Sequence, residues 1–125
     1  MKKPIMSEKV PKAIGPYSQA IEINGFIFTS GQIGIDPKTG ELKEGIESQT
    51  EQVIKNLKAV LEAVGLDLSN VVKTTIYLRK MDDFSKVNEI YAKFFKEPYP
   101  SRSTVGVSSL PKNALIEIEV IASLK

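Results

Sequence analysis

Between Ile46 and Val64 the apolar residues change their spacing, and this restricts the fold more than any other feature of the chain. Ile46, Val53, Ile54, Leu57, Val60, Leu61 and Val64 recur at three- and four-residue steps, which puts them on one stripe of an α-helix. Gly65 follows the last of them, where a left-handed helix cap is expected. The flanking segments carry a different pattern. Residues 18–23 and 26–30 read as strands joined at Asn24-Gly25, a strong signal for a tight hairpin. Gly31 and Gly34 mark a break or bulge, and Asp36-Pro37-Lys38-Thr39-Gly40 marks a turn. Residues 71–78, rich in β-branched side chains, read as a further strand. Asp82 or Asp83 is placed to cap a second helix carrying Phe84, Val87, Ile90, Tyr91 and Phe94 on one side, which Pro98 and Pro100 end. Two more strands, near residues 103–107 and 115–124, are joined by a loop containing Pro111. The first ten residues, polar and flanked by prolines, read as a loosely held start. The order is β-β-α-β-α-β-β, an α+β fold with two helices on one face of a sheet.

The other face of that sheet sets a second condition. In the last strand Ile116, Ile118, Val120 and Ala122 alternate to one side, and Glu117, Glu119, Ile121 and Ser123 to the other. Ile27/Phe28 and Val71/Val72 also put apolar groups on both sides of their strands. A sheet with one wet face alternates more cleanly. A chain of 125 residues is one domain by length, too short to cover this second face alone. Association with further copies is the expected solution.

Composition removes much chemistry. The chain has no cysteine and no histidine. Disulfides, thiolate or imidazole metal sites, a Ser-His-Asp triad, a cysteine nucleophile and a histidine general base are all excluded. Seventeen Lys and Arg against fifteen Asp and Glu leave a net charge of +2, which argues against a nucleic-acid partner. No apolar run approaches the ~20 residues of a membrane span. The two lysines near the N-terminus are not followed by a signal-peptide core. A cytoplasmic, soluble protein without a membrane partner is expected.

The remaining polar tools are carboxylates, hydroxyls, amides and two arginines. Arg102 opens a strand after Tyr99-Pro100-Ser101 in a chain that otherwise uses lysine, and only a guanidinium grips a carboxylate with a planar fork. Glu117 lies between Ile116 and Ile118, where burial would raise its pKa toward acid/base work. Glu119, on the same side, has an equal claim by pattern. Ser30 and Gly31 sit where a strand ends in a glycine bend, a place for backbone N–H groups to meet an anion. Tyr17 can orient a ligand through its phenol or anchor its loop, and Asn88 falls on the second helix. Gly31-Gln32-Ile33-Gly34 lacks the spacing of a phosphate loop.

Together these segments resemble the reactive intermediate deaminase family, the Rid or YjgF group. The resemblance runs from Ala13 to about Ser123. It is carried by Ala13-Ile14-Gly15-Pro16-Tyr17-Ser18-Gln19-Ala20, Thr29-Ser30-Gly31-Gln32-Ile33, Val72-Lys73-Thr74-Thr75, Phe84-Ser85-Lys86-Val87-Asn88, Tyr99-Pro100-Ser101-Arg102-Ser103, and Leu110-Pro111 followed by Ile116-Glu117-Ile118-Glu119. It implies a chorismate-mutase-like, ferredoxin-like sheet assembled as a homotrimer with sites between subunits. It also implies cofactor-independent hydrolysis of reactive enamines and imines, such as 2-aminoacrylate and 2-iminopropanoate, to 2-keto acids and ammonia, a form of metabolite damage control. By similarity Arg102 holds the substrate carboxylate, and Glu117 rather than Glu119 positions water and shuttles protons. Tyr17, Ser30, Gly31 and Asn88 line the pocket. Many of the family's deaminases have a cysteine two residues after the arginine. Here Thr104 stands there, which excludes a thiolate and leaves a hydroxyl able to hydrogen-bond a ligand. The rival readings are a non-catalytic trimer that binds keto acids or a protein partner, and an endoribonuclease or translation inhibitor. The near-neutral charge and the absence of histidine count against the last.

Overall fold

The computed structural model describes residues 1–125. Its elements are β1 (Lys3–Ile5), β2 (Ala20–Ile23), β3 (Phe26–Thr29), β4 (Gln32–Ile33), α1 (Ile46–Glu62), β5 (Val71–Leu78), α2 (Phe84–Phe94), β6 (Ser101–Gly106) and β7 (Ile116–Ser123). All the strands join one mixed sheet in the order β1-β2-β3-β7-β5-β6, with β4 also on β7. Only β5 and β6 pair in parallel, and α2 connects them. This is the expected α+β arrangement, with both helices on one face. Neither helix is long and apolar enough to cross a membrane.

The local signals act as their chemistry dictates. Asn24 and Gly25 both take positive φ, 52° and 82°, and close the β2–β3 hairpin with Ile23 opposite Phe26. Gly65, at φ 77°, ends α1: its N–H bonds Glu62, and that of Leu66 bonds Leu61. These are the paired bonds of a Schellman cap.

Three expectations need correction. The start of the chain is not loose: β1 pairs with β2, and Ile5 and Val10 are buried in the core. The Gln19 side chain pins this segment, accepting from Ser7 N–H at 2.6 Å and donating to the carbonyls of Ser7 and Pro11. Two lysines and a proline at a sheet edge hide the strand, because Pro4 cannot donate to a central ladder. At α2 neither aspartate caps through its side chain. A 3₁₀ turn at Met81–Asp83 runs into the helix, and Asp83 N–H bonds Lys80 instead. Finally, β6 begins at Ser101, two residues before the expected start, so Arg102 lies inside the ladder opposite Thr74.

The core lies between sheet and helices. Ile116, Ile118, Val120 and Ala122 of β7 pack with Ile27, Ile76 and Leu78 beneath Val53, Ile54, Leu57, Val60 and Leu61 of α1 and Val87 of α2. Buried amides fasten the long connection before α1. Asn56 donates to the Ile35 carbonyl at 2.9 Å, while Gln49 donates to Lys43 and accepts from Leu115 N–H. The opposite face is not covered by the chain itself. Phe26, Phe28 and Val105 are each more than 40% exposed there.

Gly34 is where this connection runs closest to α1. A Cβ added to it would lie 2.7 Å from Gln49 Cα and 2.9 Å from the Gln49 carbonyl oxygen, both backbone atoms of a helix. We therefore expect Gly34→Ala to destabilise the protein by about 1–3 kcal/mol through overpacking, read as a lower denaturant midpoint. An unchanged midpoint would show that the connection and α1 are not in rigid contact.

Candidate active site

The shape of the site originates in an irregularity beside β7. Phe28 pairs with Ile121 and Gln32 with Ile118, so Thr29, Ser30 and Gly31 face only Val120 and Glu119. One extra residue makes a β-bulge, a device that re-aims side chains. Thr29 fills the gap in the ladder: its Oγ1 accepts from Val120 N–H at 2.9 Å and donates to the Val120 carbonyl at 3.3 Å. Ser30 bonds Gln19 through its N–H, and its hydroxyl donates to the Ser18 carbonyl at 2.6 Å. The serine therefore keeps only acceptor capacity and ties the bulge to the loop bearing Tyr17.

The bulge sets Gly31 directly against Glu117. A Cβ at position 31 would lie 2.7 Å from Glu117 Cδ and 2.9 Å from its Cγ, and would overlap Oε2. Only a residue without a side chain lets the carboxyl lie there. Glu117 lines an open cavity of about 590 Å³ with Tyr17, Gly31, Ile14, Lys12 and Lys112. Burial pushes its pKa above the ordinary glutamate range, and the neighbouring Glu119 pushes in the same direction. Glu119 is itself tied to β5, accepting from the Tyr77 hydroxyl at 3.4 Å. Burial and the Glu119 charge raise the Tyr77 pKa as well.

Arg102 belongs to a different place. In the β5–β6 ladder it stands opposite Thr74, a buried residue of the helix-covered face. Glu117 stands opposite Tyr77, on the other face. With β5 between β6 and β7, the arginine and the glutamate are two strand spacings apart across the sheet, roughly 10 Å, and offset by three residues along it, roughly another 10 Å, and they lie on opposite sides of the sheet. Arg102 instead meets α2. Its Nη1 donates to Asn88 Oδ1 at 2.8 Å, and its guanidinium carbon lies 4.9 Å from the ring centre of Tyr91 and 5.3 Å from that of Phe84. A cleft of about 440 Å³ opens beside it, lined by Asn88, Tyr91, Ala92, Tyr99 and Pro100. Thr104, two residues along the same face of β6, has a buried hydroxyl with no hydrogen-bond partner.

One chain thus gathers Glu117, Gly31 and Tyr17 on one side, with Ser30 behind them. It gathers Arg102 and Asn88 on the other, with Thr104 farther along the strand. No group of three or more metal-ligating side chains is present. Sequence reasoning missed three features. Lys12 and Lys112 line the Glu117 cavity from two separate loops, and nothing local announces their convergence. Tyr91 and Phe84 form the surface under Arg102; the helical stripe identified them, but as core. Thr29, which closes the bulge, had a signal in the adjacent Ser-Gly pair.

Comparison with known proteins gives a consistent result. The sequence model of the family described as "Endoribonuclease L-PSP" matches residues 7–124. The chain is 55% identical over 124 residues to the chloroplastic Reactive Intermediate Deaminase A of Arabidopsis thaliana, spanning 98% of this chain and 66% of that one. It is 46% identical over 125 residues to the 2-iminobutanoate/2-iminopropanoate deaminase of Salmonella typhimurium, spanning 98% of each. A crystal structure of a Rid-family protein of unknown function from Yersinia pestis superposes with a TM-score of 0.96 at 54% identity, covering 98% of this chain and 99% of that one. Close likeness in both sequence and fold, over almost the full length, places the chain in the reactive intermediate deaminase (Rid/YjgF) family.

Proposed function

We propose that the protein hydrolyses reactive 2-imino acids and their enamine tautomers to 2-keto acids and ammonia, at sites that each combine residues of two copies of the chain in a homotrimer. The observation that carries this reading is the Glu117 carboxyl: half-buried, pressed on Gly31, open to a cavity and raised in proton affinity. A carboxyl with these properties is suited to acid/base work. Arg102 supports the substrate class. Its fork is held by neutral groups, and the single ion pair of the chain, Lys43–Asp36, lies elsewhere. Its charge is free for a carboxylate ligand. The names of the Arabidopsis and Salmonella relatives support the reaction.

The separation of the two residues supports a site shared by two copies. A small imino acid cannot touch both faces of one sheet, so this reading pairs Arg102 of one copy with Glu117 of another. The exposed Phe26, Phe28 and Val105 supply apolar surface for such packing. In the proposed sequence the Arg102 fork fixes the carboxylate. Glu117 takes a proton from water as the water oxygen bonds to the carbon of the protonated imine, giving a neutral carbinolamine. It then passes that proton to the nitrogen and takes the hydroxyl proton as the C–N bond breaks and the C=O bond forms; ammonia leaves and carries that last proton away as ammonium. An imine is already electrophilic, and orientation plus one acid/base group contributing on the order of 10²–10⁴-fold is sufficient.

Ammonia release from freshly generated 2-iminopropanoate should fall about 10²-fold or more in both Arg102→Ala and Glu117→Gln. Arg102→Lys should recover little, since an ammonium offers no fork. A parent-like rate in Arg102→Ala would refute the assignment, and keto-acid binding without turnover by the parent would mark a binder instead. The rate should fall with acidification as Glu117 takes up its proton, whose affinity burial and the Glu119 charge raise within the chain. Glu119→Gln removes one of the two causes of that elevation, so its pH–rate profile should shift to lower pH; a profile that stays put would exclude Glu117 as the titrating group. Gly31→Ala, which displaces the Glu117 carboxyl, should lose at least about tenfold in kcat while its thermal midpoint stays near the parent's.

A further inference from the structure

Arg102 has no carboxylate within ion-pairing distance. It is held by three uncharged groups from one stripe of α2, at positions i, i+4 and i+7: Phe84, Asn88 and Tyr91. Aromatic faces and an amide oxygen orient a guanidinium without neutralising it. One of its five N–H groups is used by Asn88, and the rest of the fork stays available. Tyr91 is the most firmly fixed of the three. It is buried, its ring stacks on buried Phe95 with centroids 4.3 Å apart, and its hydroxyl is 2.9 Å from the buried hydroxyl of Thr74. Thr74 is also the residue opposite Arg102 in the ladder. The strand that carries the arginine and the helix that cradles it are thereby locked to a common neighbour.

We propose that Tyr91 is a positioning residue for the anion-binding fork, its ring face, assisted by Phe84, holding the Arg102 guanidinium in the orientation that receives a ligand carboxylate. The inference rests on the reading of Arg102 as the carboxylate-binding group. The cradle contributes to binding of the carboxylate in ground state and transition state alike, so its loss appears in KM and in Kd for a keto acid, with kcat retained.

The test compares Tyr91→Leu with Tyr91→Phe in the assembled protein, using 2-ketobutyrate binding by calorimetry and 2-iminopropanoate turnover. Removing an aromatic face from a guanidinium is expected to weaken binding and raise KM by about five- to tenfold, with kcat within about threefold of the parent. Tyr91→Phe keeps the ring and loses only the bond to Thr74, and should restore binding to within about twofold. Equal weakening in both variants would assign the effect to the Thr74 bond and overturn the proposal. So would parent-like binding in Tyr91→Leu. If Tyr91→Leu fails to fold, Phe84→Leu reads the second ring; there a weakening of about threefold is expected, and unchanged binding would contradict the cradle. Arg102→Ala separates the two levels. If it binds 2-ketobutyrate as the parent does, the underlying reading fails; if it abolishes binding while Tyr91→Leu is silent, only the cradle fails.

Discussion

The register of β7 governs this protein. Along that strand Ile116, Ile118, Val120 and Ala122 face the helices, and Glu117, Glu119 and Ile121 face away. A slip of one residue would bury two glutamates and expose the floor of the core. The strand is held against such a slip from both sides, by eight-residue β5 on one edge and by β3 and then β4 on the other. The bulge between β3 and β4 is compatible with only one alignment. It places Gly31 over Glu117, and the Thr29 hydroxyl restores the backbone bonds that the extra residue interrupts. Core formation and placement of the acid are thus consequences of the same pairing.

The sheet also distributes its polar chemistry between two faces. A raised-pKa carboxyl lies on the uncovered face, and a guanidinium with no anionic partner lies at the helix-covered edge. Within one chain the two are not paired, so Arg102 has no resident carboxylate and no guanidinium lowers the proton affinity of Glu117. The apolar residues on the uncovered face fit the same account, since they are a liability for an isolated chain and an asset for an associating one.

Much of this was legible in the sequence. The helical stripe of α1, the Asn24-Gly25 hairpin, the Gly65 cap and the two-sided alternation of β7 are local patterns, and local physics decides them. The loss of clean alternation on the outer face is matched by the exposure of Phe26, Phe28 and Val105. What escaped is non-local. The strand at Lys3–Ile5 exists because β2 offers it an edge and Gln19 ties it down, not because of its own propensity. Pattern alone left Glu117 and Glu119 equivalent. The bulge distinguishes them, since Gly31 lies against the first. Tyr91 read as core, which it is; that its other face meets Arg102 depends on how α2 crosses β6.

In the proposed assembly one site draws its arginine and its glutamate from different chains. Co-assembly of two inactive variants tests this directly. Subunits carrying Arg102→Ala and subunits carrying Glu117→Gln, unfolded together and refolded as an equal mixture, would generate some sites with both residues intact. Random assortment predicts that about a quarter of the parental imine hydrolysis returns. A mixture as inactive as either variant alone would mean that both residues act from the same chain, or that they do not share a substrate, and would contradict the account.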